Sequence, residues 1–374
     1  NKAAYLLRVK SEHDELLHFL HKTEGGFRAV SGVPHSLTYG DHVYKKGADV
    51  AHTLRGYMGD SAFFAGCKYV MQQKAYNSIN SNEFRDLMQT GSGQNLSVFF
   101  SNWVFSGGWS HFAFDSVRYF AAQNTTSVII SIKQKLFGAP SLHNNVPLEI
   151  SFFSGNWTKE VRRVMMSGSS STFTLSVPFA PVYTALNFDS KISDASSHEY
   201  KVIKNTGGSS FPLAKAFLNV SNKGADSSLV RIVHNYVKPD DFKFNPLGHR
   251  LSDQHFWKVE GIFSPGFAAS IRLNYDGTKN LSGSYAYLDT LLTQFNGDSM
   301  ALFYRRDAGD DWQWQSRVTR FKSGAKTGWL QIDSVKAGEY TFGNLGDTSK
   351  IGLYDLAPET GSIRLFPNPA NNFC

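Results

Sequence analysis

Tyr39-Gly40-Asp41-His42-Val43-Tyr44-Lys45-Lys46-Gly47 places two phenols five residues apart at the head of an amphipathic stretch. A phenol can donate a hydrogen bond that strengthens as charge builds on a carbonyl oxygen under attack. Losing one such donor typically costs ~100 to 1000-fold in rate. The bland alternative is that Tyr44 is a packed aromatic at a helix start. Other reactive side chains are few. The chain has two cysteines, Cys67 and Cys374, which excludes a disulfide framework and an all-cysteine zinc site. Cys67 falls in a helical stretch and reads as a small buried hydrophobe. Between Ala3 and His21, Glu15, His18 and His21 recur at spacing three and could share a helix face. A single Glu-x-x-His falls short of the two facing pairs that a di-metal bundle needs. With Leu6, Leu7, Leu16, Leu17 and Leu20 interleaved, the segment reads instead as a helix with a solvated polar face.

The elements that must position the tyrosines follow from periodicity. Val43, Gly47, Val50, Leu54 and Tyr57 alternate steps of four and three, as a helix with one buried face requires. Gly59 ends it. Asp60 is placed to cap a second helix through Phe63, Phe64, Cys67 and Met71. Asn80 with Glu83 makes a capping-box start for a third, through Phe84 and Leu87. Asn95 opens a fourth with Leu96, Phe99, Phe100 and Trp103 on one side, and Gly107-Gly108 stop it. Upstream, Gly25-Gly26 and Gly32-Val33-Pro34 supply the loop that leads to Tyr39.

After Gly108 the period falls to two. Val117 and Tyr119, then 127–132, 146–153, 161–165, 173–177 and 183–188, read as short strands. Ser196 to Ser210, rich in Ser, Gly, Asn and Lys, reads as a linker. A second set of strands is expected at 215–220, 228–237, 256–262, 269–274, 301–304, 312–318 and 329–332. Its turns are marked by Asp276-Gly277, Asn296-Gly297 and Lys336-Ala337-Gly338, with Leu288 to Phe295 as a short helical turn. The fold class is therefore multidomain α + β, a helical lobe followed by two antiparallel β-sandwich domains. The divisions fall at 1–112, 113–205, 206–344 and 345–374.

Composition is permissive. A chain of 374 residues with 41% hydrophobic and 14% aromatic content can hold two or three cored domains. The net charge of +7 is spread out, without the basic runs that nucleic-acid binding would favour. No apolar run reaches the length of a transmembrane helix. Trp312, Trp314 and Trp329 read as buried aromatics rather than a carbohydrate platform.

The stretch around Tyr44 resembles the catalytic-tyrosine segment of M1-family zinc aminopeptidases, the gluzincins. Their Val/Pro-Tyr-x-Lys-Gly pattern matches Val43-Tyr44-Lys45-Lys46-Gly47. The resemblance extends over residues 39–108. Gly59-Asp60-x-x-Phe63-Phe64 and Phe99-Phe100-x-x-Trp103-Val104 stand where the family's thermolysin-like domain closes with a helical lobe. It implies that Tyr44 is the transition-state donor and that Tyr39 lines the substrate site. The family holds one zinc through His-Glu-x-x-His and a further glutamate, all upstream of the tyrosine. No residues before Tyr44 form that motif, so the chain is expected to be a fragment of a peptidase, inactive alone, with its zinc ligands outside it. Zinc bound at His13, Glu15 and His18 would contradict that expectation.

The same resemblance implies peptide or protein substrates and a small β-sandwich after the lobe, matched near Gln134 and Val146-Pro147-Leu148. The second β block departs from members that carry a helical C-terminal domain. At the end of the chain, Gly361-Ser362-Ile363-Arg364-Leu365-Phe366-Pro367-Asn368-Pro369 resembles the opening of the type IX secretion sorting domain. That implies a secreted or surface protein of a bacterium, with the type IX machinery as partner. A Pro-rich linker is the plain alternative. The competing function is a non-catalytic binding or adhesion protein whose degenerate peptidase-like lobe supports the β modules.

Overall fold

The computed structural model describes residues 2–123, 125–280, 286–294 and 299–346. Helices come first: α1 Lys2–Glu15, α2 His21–Thr23 joined to it by a π-helical turn Leu16–Leu20, α3 Lys45–Met58, α4 Asp60–Gln73, α5 Ser81–Ser92 and α6 Ser97–Phe99 running into a π-helical turn Phe100–Val104. α3 buries Val50, Leu54 and Met58, and Gly59 ends it at φ +77°, a conformation that glycine adopts without steric cost. α5 opens with a complete capping box. Asn80 accepts from the N–H groups of Asn82 and Glu83, and the Glu83 carboxylate accepts from the Asn80 N–H. The next helical segment buries Leu96, Phe99, Phe100 and Trp103.

Two helical expectations need correcting. Asp60 does not cap α4. It is the first helical residue, with Gly59 before it, and its carboxylate takes two hydrogen bonds from Arg55 at 2.8 and 2.9 Å. Nor is the polar face of α1 solvated throughout: Glu15 is exposed, but His13, Asp14 and His18 are buried, whereas Leu7 is exposed. Their partners come from far along the chain. Lys215 and Tyr236 donate to Asp14, and His18 reaches the Ala286 carbonyl.

The strands form four antiparallel sheets. β1 Trp109–Ala121, β2 Thr126–Phe137 and β5 Ser170–Val177 make one, in the order β1-β2-β5. β3 Val146–Phe153, β4 Lys159–Met166 and β6 Tyr183–Leu186 make a second, in the order β4-β3-β6. Apolar residues of β2 and β3 enter one cluster with those of α3 and the Phe99–Val104 segment. Beyond them, β7 Ser196–Ile203, β10 Ser228–Asn235, β12 Phe256–Ile262, β18 Gly338–Asn344, β14 Met300–Arg305 and β15 Gln313–Trp314 lie side by side, with β11 Arg250–Leu251 paired to β18. β8 Gly207–Phe211, β9 Ala216–Asn222, β13 Ala268–Asp276, β17 Thr327–Ile332 and β16 Thr319–Lys322 form the five-stranded sheet. These two larger sheets share a second apolar cluster built on Trp257, Tyr275, Phe342 and Leu330.

Ser196–Ser210 is therefore not a linker. β7 pairs with β10 along its whole length, so residue 205 does not divide the sheets. The expected strand at 312–318 shrinks to β15. Trp312 is buried, but Trp314 and Trp329 are half-buried, and Trp329 stacks on Phe321. Cys67 is partly buried against the first cluster. The sorting-domain pattern, the expected linker beyond residue 346, Cys374 and the Asn296-Gly297 turn lie outside the described residues. No described helix is long and apolar enough to cross a membrane.

Candidate active-site turn

A short 3-10 helix, His35–Leu37, feeds the turn that carries both tyrosines. The Gly40 N–H donates to Leu37 O, the Val43 and Tyr44 N–H groups to Gly40 O, and the Lys46 N–H to Asp41 O, after which α3 takes over. Tyr39 is 85% and Tyr44 58% exposed. Among the described residues neither phenol has a hydrogen-bond or ring partner, so both hydroxyls are free to meet something else. Tyr44 is thus not a packed aromatic, and the structure brings the two predicted site residues to one exposed turn.

Beneath the turn the backbone is tied down. Glu24 Oε1 accepts from the Asp41 N–H at 2.5 Å, and Oε2 accepts from the His42 N–H at 3.3 Å and from His42 Nδ1 at 2.5 Å. The carboxylate lies so close to Gly40 that a Cβ there would stand 2.6 Å from Oε1. His42 Nε2 accepts from the Arg28 N–H at 3.2 Å. One ring nitrogen donates and the other accepts, which fixes a neutral tautomer. Burial lowers the His42 pKa despite the Glu24 contact. Burial alone would raise that of Glu24, but His42 and the two backbone donors bring it below the usual range. The web closes through Lys46, whose Nζ donates to Arg28 O at 2.7 Å and lies 4.5 Å from the Trp109 ring centroid. Burial pulls this ammonium down to about 8. Lys45 bridges Glu15 at 2.9 Å and Asp41 at 3.3 Å.

Glu24 carries no motif signal, and sequence reasoning missed it. His42 and Lys46 lie inside the quoted motif, but their roles depend on the backbone of Arg28, which no pattern reveals. Along α3, Gly47, Val50 and Leu54 line an apolar groove of about 320 Å³ with Val30, Phe63 and Phe84.

The residues that spacing offered as metal ligands do not converge. Glu15 pairs with Lys45, His18 faces Ala286 O, and His21 stacks on Phe27 at 4.3 Å. Burial holds His18 and His21 neutral, at about 4 and about 3. His13 instead joins Asp49 and the Asp194 carbonyl. Among the described residues no three of His, Cys, Asp or Glu could hold a metal ion, so zinc does not fit here.

Comparison with known proteins reaches the same segment. Residues 30–103 match the model of the Peptidase family M1 domain. Aminopeptidase N of Lactococcus lactis subsp. lactis is 31% identical over 67 residues, 18% of this chain and 8% of that protein. The chain thus spans under a tenth of that relative's length. A crystal structure of Legionella pneumophila aminopeptidase A with aspartic acid covers 42% of this chain and 18% of its own, at 15% identity and a TM-score of 0.32. That structural likeness is too slight to bear on the site. The matched segment is related to M1 aminopeptidases, and Tyr39, Tyr44, His42 and Lys46 all fall inside it.

Proposed function

We propose that this chain is part of a zinc aminopeptidase of the M1 type, and that it contributes the tyrosine that stabilises the oxyanion of peptide hydrolysis. The observation that carries this is the pair of exposed phenols, without hydrogen-bond or ring partners among the described residues, on one braced turn within the segment that matches the M1 domain. Tyr44 would donate to the carbonyl oxygen of the scissile bond as it becomes tetrahedral. Tyr39 would line the substrate site. The metal and the group that activates the attacking water would come from residues beyond this chain, since those described here bring no ligand set together. Alone, the chain would be inactive.

The remaining parts of the reading rest on pattern. Strands β1–β6 and β7–β18 would be two β-sandwich domains, with apolar clusters between paired sheets in support. The Pro367-Asn368-Pro369 pattern supports a secreted protein exported by the type IX machinery.

The test is Tyr44→Phe in the full-length protein, assayed on aminoacyl anilides. A donor used only in the transition state lowers kcat by roughly 100 to 1000-fold with little change in KM. Unchanged kcat would remove the donor role of Tyr44, and a full-length protein with no activity on these substrates would leave a binding or adhesion protein as the reading.

A further inference from the structure

We propose that Glu24 and His42 are the positioning residues of the Tyr39–Tyr44 turn, and that a proton on His42 Nε2 undoes the arrangement. The inference rests on the aminopeptidase reading for its catalytic meaning, but its geometry stands without it. Glu24 is tied to this turn by three hydrogen bonds, two of them from consecutive backbone N–H groups. Gly40 leaves the room that the carboxylate needs. His42 carries the tie onward to Arg28, and Lys46 returns it from Arg28 O to the first turn of α3. Tyr44 sits between the two anchored residues, with its own N–H on Gly40 O. Among the described residues its side chain has no hydrogen-bond or ring partner and is more exposed than buried, so the backbone ties do most to set where the phenol stands. A displacement of ~1 Å of such a group can cost on the order of 100-fold in rate.

Protonation of His42 would set an N–H against the Arg28 N–H, two donors with no acceptor between them. The charged groups that face the ring are Glu24 and Arg28 from the segment after α2 and Lys46 from α3, with His21 of α2 nearby. Lys46 and Arg28 disfavour the imidazolium, and Glu24 alone favours it. The neutral ring is therefore the resting form, and it is lost only toward acid.

Two measurements test this. In this chain, nitrogen-15 NMR should show His42 protonated on Nδ1, with the Asp41 and His42 amides protected from exchange. Glu24→Ala should abolish that protection, and acid should abolish it in step with the His42 titration. In the full-length protein Glu24→Ala should lower kcat ~10 to 100-fold at unchanged KM. His42→Gln, whose amide can both donate to Glu24 and accept from Arg28, should keep most of kcat. It should also remove the part of the acid limb that follows the imidazole. Unprotected amides at neutral pH, or full kcat in Glu24→Ala while Tyr44→Phe is impaired, would overturn the proposal. Protected amides with an indifferent Tyr44→Phe would instead overturn the donor role of Tyr44 and leave the clamp as a conformational device.

Discussion

Asp49 lies just over a turn beyond Tyr44 on α3 and faces inward. His13 Nδ1 meets its Oδ2 at 3.0 Å, and His13 Nε2 meets the Asp194 carbonyl at 2.7 Å. Both ring nitrogens face acceptors, so the imidazolium is the form that fits. Burial opposes its charge, but Asp49 and the carbonyl outweigh that and raise the pKa to about 9. The native state then binds this proton more tightly than the unfolded chain, whose histidines titrate near ~6.5. The resulting stability is fully present below that value and is lost as pH rises through about 9. Asp49→Asn should cost roughly 3 to 5 kcal/mol at neutral pH by leaving a buried charge without its partner. Urea melts of both proteins from pH 6 to 9 decide it: their difference should shrink as pH rises. A constant difference would mean that the pair is not charged.

At the scale of elements, sequence patterns succeeded where a helix or turn is specified by its neighbours in the chain. Asn80 and Glu83 announced the start of α5, and the Tyr44 helix and its Gly59 stop followed from spacing. Asn80→Ala should therefore lower stability by about 1 kcal/mol, and Asn80→Asp should not. Equal losses in chemical denaturation would point away from the cap. Reading failed where distant segments decide the environment. The polar side of α1 looks solvated in sequence because the residues that bury it, Asp194, Lys215, Tyr236 and Ala286, lie far downstream. Ser196–Ser210 looks like a linker because its small and polar residues suit exposed edges. β7 is such an edge, held by β10 on one side. The two tyrosines were legible as a motif. Their brace was not, because Glu24 acts on backbone N–H groups and on a glycine's missing Cβ.

At the scale of the whole molecule, two of the seams that join β1–β6 to the larger sheets differ in kind. One is ionic and half-open: Asp240 accepts from Lys133 and Lys135 of β2 and from Arg305 of β14, at 2.5, 2.9 and 2.6 Å. The other is closed. Arg231 of β10 donates to Glu260 of β12 at 2.6 Å and to the Leu186 carbonyl of β6 at 3.0 Å, and the Tyr183 hydroxyl donates to the same Glu260. Phe153, Tyr183, Phe188 and Leu229 pack around it. Removing one partner of the closed pair leaves a buried charge, at about 3 to 5 kcal/mol. Removing the Asp240 charge forfeits hydrogen bonds that water partly replaces, at roughly 1 to 3 kcal/mol. Glu260→Gln should therefore destabilise more than Asp240→Asn. Acid should act on the open seam. Burial would raise the Asp240 pKa, but the three cations hold it well below the usual carboxylate range. Its contribution is present above the unfolded value near ~3.9 and fades as pH falls toward the native one. Calorimetry of wild type and Asp240→Asn at pH 7 and pH 3 should show a gap in Tm that narrows in acid. A gap that widens would mean that the Asp240 carboxylate is not held in its charged form by those three cations.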